Sequence, residues 1–272
     1  MAKAELLFVG TDTGLLQFSN PGGIGRWLRS GHSLPGSDIV AVWAKPDDPT
    51  HVLCSDAEHL YESTDGGQHW GDPIELGITA FAASRTTPTT ILARTDSDAI
   101  ISTDSGAHWR RIGTAERISV INDRLAISTA TRAHTSTDGG TNWQSDDPWA
   151  HQVASHDGLH TVRCTTTGNW VVDQTPIAAP PITVRTVAVC AGAPARVIGS
   201  DGTALWAYDT AWQLYPDAPG LVSITHTPYH PDRLWGADAH GTLWYSTTRG
   251  SHWEAIKTQL GTINTIISTR LL

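Results

Sequence analysis

Residues 63–70 read STDGGQHW, residues 102–109 read STDSGAHW and residues 136–143 read STDGGTNW. A worn fourth copy, STTRGSHW, occupies 246–253. The shared phrase is S-x-D-x-G-x-x-W, and its parts suit a tight turn between two strands. A short Asp side chain accepts hydrogen bonds from backbone N–H groups just ahead of it and so closes the turn. Glycine supplies a backbone conformation that other residues resist. Tryptophan can lie flat over the turn and fill the space between adjacent sheets. Asp65, Gly67 and Trp70 are read this way, as are Asp104, Gly106 and Trp109, Asp138, Gly140 and Trp143, and Trp253. They are structural residues, and His69, His108 and His252 are solvent-facing bystanders beside them. Thr248 replaces the aspartate of the fourth copy, which predicts a weaker turn there.

The phrase is also a ruler. Looser versions end near Trp27 and Trp212, and a badly eroded one surrounds Trp170. Seven units then follow one another at a spacing of roughly 38 residues, the scale of a repeat architecture. A second marker runs in phase. Pro49 and Pro88, each followed by an aliphatic run, precede Trp70 and Trp109 by the same number of positions, and Pro194 and Pro231 open later units. Within a unit the hydrophobic period is two. In IVAVWAKPDDPTHVLCSDAEHLYESTDGGQHW the run 39–44 reads as a buried inner strand. HVLCS reads as a second strand, HLYEST as a third and HWGDPIEL as a fourth, with PDDP, SDAE and DGG as turns. Four short antiparallel strands per unit, repeated around an axis, describe an all-β chain. It is a single seven-bladed β-propeller of four-stranded blades spanning residues 1–272. ELLFVG near the start looks like a second strand lacking its first, and INTIISTRLL at 263–272 looks like an inner strand lacking its blade. The C-terminal strand is therefore expected to close the N-terminal blade, which removes exposed sheet edges.

The phrase, with its preceding P-x-x-V/I/L strand, resembles the Asp-box or BNR repeat. That repeat is found in sialidases, xyloglucan-acting glycosidases, sortilin-type receptors, photosystem II assembly factors and propeller lectins. The resemblance covers nearly the whole chain and is weakest from about 145 to 185. It implies the propeller fold and leaves activity open, since one fold hosts many functions. In the related glycosidases the boxes lie on the face away from the active site. The sialidase pattern itself is not met: no Arg-Ile-Pro segment occurs, and Tyr61, Tyr208 and Tyr245 fall in third-strand positions.

Composition narrows the partners. Lys and Arg number 18 against 27 Asp and Glu, giving a net charge of −9, and no basic run occurs. Nucleic-acid binding, which needs clustered cations to displace counterions, is excluded as an expectation. The N-terminal apolar run is too short for a signal-peptide core or a membrane span. Cys54, Cys164 and Cys190 are odd in number, far apart and in apolar contexts, so they read as buried free thiols. A cytoplasmic monomer without metal or cofactor is the expectation that follows.

Candidate sites lie where the repeat leaves loops. The loops joining second and third strands carry Asp12, Asp56, Asp96, Asp201 and Asp238, the last beside His240. These aspartates are either hairpin-turn residues or an acidic rim for a cation, an amine or a basic segment. With Trp149, taken as an aromatic residue reaching a face, they form the candidate ligand rim. Two functions remain. The first is a non-catalytic binding or scaffold propeller that recognises a small molecule, a glycan or a protein partner on one face. The alternative is a glycan- or small-molecule-acting hydrolase or lyase at the mouth of the central channel, with His151, His226 and Arg85 as candidate catalytic residues.

Overall fold

Alternating apolar and polar residues, cut by Gly, Asp and Pro turns, fold here as short antiparallel strands. The structure, a computed structural model, describes residues 4–23, 25–84 and 86–271. The first blade holds β1 (Glu5–Thr11), β2 (Gly14–Asn20) and β3 (Leu28–Ser33). The second holds β4 (Ala41–Lys45), β5 (Asp48–Ser55) and β6 (Leu60–Ser63). The third holds β7 (Ala80–Ala83), β8 (Ile91–Arg94), β9 (Asp98–Ser102) and β10 (Arg110–Thr114). The fourth holds β11 (Arg117–Ile121), β12 (Arg124–Ser128), β13 (Ala133–Ser136) and β14 (Gln144–Asp146). The fifth holds β15 (Trp149–Ala154), β16 (Thr161–Thr165), β17 (Trp170–Val172) and β18 (Thr175–Ile177). The sixth holds β19 (Thr186–Cys190), β20 (Arg196–Ser200), β21 (Leu205–Tyr208) and β22 (Trp212–Tyr215). The seventh holds β23 (Leu221–His226), β24 (Leu234–Asp238), β25 (Leu243–Ser246) and β26 (Glu254–Lys257). The last strand, β27 (Ile263–Arg270), joins the first blade in the order β27-β1-β2-β3. The chain is thus a seven-bladed β-propeller whose C-terminal strand closes its N-terminal blade.

The second blade departs from expectation. It has three strands, and the fourth, expected over HWGDPIEL, shrinks to a bridge between Leu60 and Ile74. Leu60 and Ile74 exchange two backbone hydrogen bonds of 2.9 Å, and Gly71 N–H donates to the Glu62 carbonyl. Between them stands Pro73, which has no N–H to offer a ladder. The eroded fifth unit, in contrast, completes four strands, although β17 and β18 are only three residues long.

The chain folds as two compact units, Met1–Ala150 with Thr269–Leu272, and His151–Ser268. In the first, Trp43, Leu53, Leu60, Ile78, Ile91 and Ile100 pack between the second and third blades. Leu92, Ile101, Leu125 and Ile127 pack between the third and fourth, with Ile112, Ile118 and Trp143 beside them. In the second unit, Ile198, Leu205, Leu221, Leu234 and Trp253 form the equivalent layer. Full burial of each aliphatic side chain is worth about 1.5–3 kcal/mol against leaving it in water. The glycine of the repeated phrase fixes how close blades come. A Cβ on Gly106, whose φ is +99°, would lie 2.6 Å from the Leu53 Cδ1 of the preceding blade. A Cβ on Gly250 would lie 2.3 Å from Ile198 Cδ1.

Candidate functional site

The repeated turn is built by two side chains with separate tasks. Ser63, Ser102, Ser136 and Ser246 each accept the N–H of the glycine four residues on, at 2.8, 2.8, 2.9 and 3.0 Å. The aspartates accept the N–H of the residue four ahead, His69, His108 or Asn142, each at 2.9 Å. The side chains of those residues then return to the second carboxylate oxygen. His69 Nδ1 lies 2.6 Å from Asp65, His108 Nδ1 2.7 Å from Asp104, and Asn142 Nδ2 donates to Asp138 at 2.7 Å. The two histidines are exposed, as expected, but they brace the turn rather than stand by. The His108 N–H, then its ring, hold Asp104 down to about 2. The Asn142 N–H and amide do the same for Asp138, also to about 2, and His69 holds Asp65 lower still. Each carboxylate oxygen is thereby occupied within its own turn.

The rim aspartates divide. Asp56 accepts the N–H groups of Glu58 and His59 and the Tyr61 hydroxyl. Asp201 accepts the N–H groups of Thr203 and Ala204 and the Thr203 hydroxyl. Asp238 accepts the N–H groups of His240 and Thr242 and the Trp244 indole N–H. Burial raises Asp56 and Asp238, but these hydrogen bonds outweigh it and leave both below the ordinary carboxylate value. Asp12, Asp96 and His240 are exposed. Trp149 does not reach a face. It is 2% exposed and packs on Ala126 and Ala133, because the run WAHQVA begins an inner strand there.

The catalytic candidates are likewise engaged with backbone. His151 Nε2 lies 3.1 Å from the Val184 carbonyl and its ring stacks on Trp170. His226 Nε2 lies 2.6 Å from the Val189 carbonyl. Arg85 lies outside the described residues. Among the described residues no group of three or more His, Cys, Asp and Glu could hold a metal ion. The thiols of Cys54, Cys164 and Cys190 are buried, and burial pushes all three up, Cys190 to about 12. No described helix is long and apolar enough to cross a membrane.

Two cavities open beside the fourth blade. One, about 350 Å³, is lined by polar residues and lies over the phrase turn between Arg124, Asp138 and Gln144. Its Arg124 already donates to Thr135 and Asp146. The other, about 570 Å³, is a cleft between β10 of the third blade and β12–β13 of the fourth. Ile112, Ile127 and Trp143 give it an apolar lining, and Trp143 is oriented by its N–H bond to the Gly140 carbonyl. Thr129, Thr131, Arg132 and His134 are among its polar lining residues, and no carboxylate is. The Arg132 and His134 side chains have no hydrogen bond or ion pair among the described residues. The sequence reading missed these residues. The signal was present in the column two places before the phrase serine, which runs Tyr61, Ile100, His134 and Trp244: a histidine stands among bulky apolar and aromatic residues.

No family model matches this chain, and no curated protein does. Solved structures do. YCF48 from Cyanidioschyzon merolae is similar with a TM-score of 0.57 at 13% identity, over 80% of this chain and 84% of that one. A structure of YCF48 bound to D1 peptide is similar with a TM-score of 0.57 at 16% identity, over 94% and 84% of the two chains. An ancestral GH74 enzyme is similar with a TM-score of 0.67 at 14% identity, over 97% of this chain but 47% of the enzyme. This chain therefore spans about half of that enzyme. At such identities the likeness is one of fold, the β-propeller.

Proposed function

We propose that this chain is a non-catalytic binding or scaffold propeller that recognises its partner in the cleft between β10 and β12–β13. One observation carries the reading. The imidazoles first considered for catalysis, His151 and His226, are each engaged with a backbone carbonyl, whereas the 570 Å³ cleft combines an apolar lining with side-chain donors that have no described partner. Pockets of this size and mixed character are where ligands bind. The YCF48 structure with its D1 peptide supports the reading at the level of fold, since a propeller similar to this one holds a peptide. The S-x-D-x-G-x-x-W turn supports placing the chain among the Asp-box propellers. Three buried thiols support a reducing, cytoplasmic setting.

The test is a panel of glycan hydrolysis assays on the purified chain, including xyloglucan and sialosides, run beside glycan-array and peptide-array binding. A bound ligand without turnover is the expected result. Turnover of any glycan that is lost on substituting His151 or His226 overturns the reading.

A further inference from the structure

The repeat provides an internal control for the cleft, because each position in the fourth blade has a counterpart in other blades. Pairing sets Ile118, Ile127, His134 and Ser145 side by side across the fourth blade. In the third blade the same row is Phe81, Ala93, Ile100 and Arg111. Where Ile100 is 7% exposed and fills its layer, the fourth blade presents a half-buried imidazole. The neighbouring turn changes too. Thr95 N–H donates to the Asp98 carbonyl in the third blade, and Thr129 N–H donates to the Arg132 carbonyl in the fourth, so Arg132 takes the place of Asp98. Asp98 holds Arg111 by two hydrogen bonds of 2.6 and 2.7 Å. Arg132 faces no such partner, because Arg111 is replaced by Ser145.

The second and seventh blades sharpen the contrast. There the aromatic residue of the same column is tied down by an aspartate in the adjoining turn. Tyr61 donates to Asp56 and Trp244 to Asp238, each at 2.9 Å. The fourth blade has Thr129 at that point. Its hydroxyl closes the turn by accepting the N–H groups of Thr131 and Arg132. The turn is kept and the carboxylate is lost. In a chain with a net charge of −9, this cleft gathers an arginine and a histidine without an acid. It is complementary to an anion that carries an apolar body.

The other wall is a strand edge. β10 is the end strand of its sheet in the order β10-β9-β8-β7. Three consecutive residues, Ile112, Gly113 and Thr114, line the cleft, so it meets the strand's edge as well as one face. The pairing with β9 skips Ile112 between Arg111 and Gly113, a bulge that turns a strand and re-aims its side chains. A strand edge beside an apolar slot is the geometry for adding a peptide strand, with main-chain bonds for affinity and alternate side chains for specificity.

Resting on the binding reading above, we infer that the cleft takes an extended, acidic peptide segment of a partner protein. The segment runs along β10. An apolar side chain enters between Ile112 and Ile127 against Trp143, and the carboxylate two residues on, on the same face of the added strand, meets Arg132.

The experiment measures fluorescence anisotropy of a labelled, end-capped octapeptide, Leu-Ser-Glu-Ser repeated twice, which places Leu and Glu on one face of an added strand. Its counterparts with Lys in place of Glu and with Ser in place of Leu, a copy N-methylated at alternate residues, and indole-3-acetate are the comparison probes. Two variants are used, Arg132→Glu and Thr129→Asp, the second restoring the residue of the second and seventh blades. Saturable binding of the Leu-Ser-Glu-Ser peptide is expected, with the three altered peptides and both variants weakened by about tenfold or more, since the contacts at stake are charge pairs and main-chain bonds. Unfolding midpoints close to that of the parent show that the variants fold, and one folded variant suffices. Absence of saturable binding overturns the inference, as does equal binding by the parent and both variants. Indole-3-acetate binding that depends on Arg132, with the N-methylated and unmodified peptides bound alike, overturns the peptide occupant in favour of a small carboxylate. Peptide binding untouched by the variants removes this cleft and leaves the binding propeller standing, whereas glycan turnover removes that reading itself.

Discussion

The turns at 102–109 and 246–253 perform one task with different chemistry. In the first, Asp104 accepts the His108 N–H at 2.9 Å and lies 2.7 Å from the His108 ring. In the second, the hydroxyl of Thr248 accepts the His252 N–H, also at 2.9 Å. Serine and glycine act identically in both, Ser102 on Gly106 and Ser246 on Gly250. The difference separates what the turn requires from what reinforces it. An acceptor for the N–H four residues ahead is required; a charge and a second oxygen are additions. The worn copy is thus weakened less than its lost aspartate suggests.

Substitutions at the shared positions test that division, and they have the largest effect. Gly106→Ala and Gly250→Ala each drive a methyl group into the neighbouring blade from a left-handed backbone. Both are expected to cost about 2–4 kcal/mol in denaturant unfolding. Gly139→Ala, with nothing within 4 Å of its new Cβ, should cost clearly less than either. Next come Ser102→Ala and Ser246→Ala, each of which leaves a glycine N–H without its acceptor. A loss of about 1–3 kcal/mol is expected, similar for the two turns. Unequal losses would break the claim that serine acts alike in both.

Acid separates the turns. Asp104 sits at about 2 in the folded protein, below the ordinary carboxylate value. Its contribution is complete above that ordinary value and fades as pH falls through about 2. The amide resonance of His108 is expected to titrate with that midpoint, and Asp104→Asn to abolish the change. The amide of His252, bound to a hydroxyl, should stay flat over the same range. The smallest effect is the repair. Thr248→Asp supplies the second oxygen and is expected to raise the unfolding midpoint by about 1 °C, as suits an exposed polar contact.

Much of this architecture is legible in the sequence because its signals are local. Ser102, Asp104 and Gly106 satisfy one another within five residues, so the phrase announces its turn wherever it falls. The closing strand was legible for another reason: ELLFVG and INTIISTR are each part of a blade and complete only together. The second blade misled because one imino acid, Pro73, interrupts a ladder that the hydrophobic pattern favours. The cleft was hidden most deeply. His134 gains its meaning from lying opposite Ile127 and beside β10, and that depends on strand register and on a neighbouring blade. Arg132 gains its meaning from what Asp98 does one unit earlier. The single-residue signals that drew attention, Trp149, His151 and His226, were chemically conspicuous but are held by the core or by backbone carbonyls.

The bond from the Leu271 N–H to the Ala4 carbonyl joins positions separated by almost the whole sequence. Leu7, Phe8 and Val9 of β1 are fully buried in the finished structure, yet β27, one of the two strands alongside β1, follows all the other described strands in sequence. On the ribosome, β1 must therefore wait with one edge bare while the later blades emerge and fold. Contacts this distant are entropically the slowest to close, and an uncovered strand is the surface on which nascent chains aggregate. Of the seven described blades, the first in sequence is the last to be completed. Until then the bare edge of β1 is open to pairing with another chain.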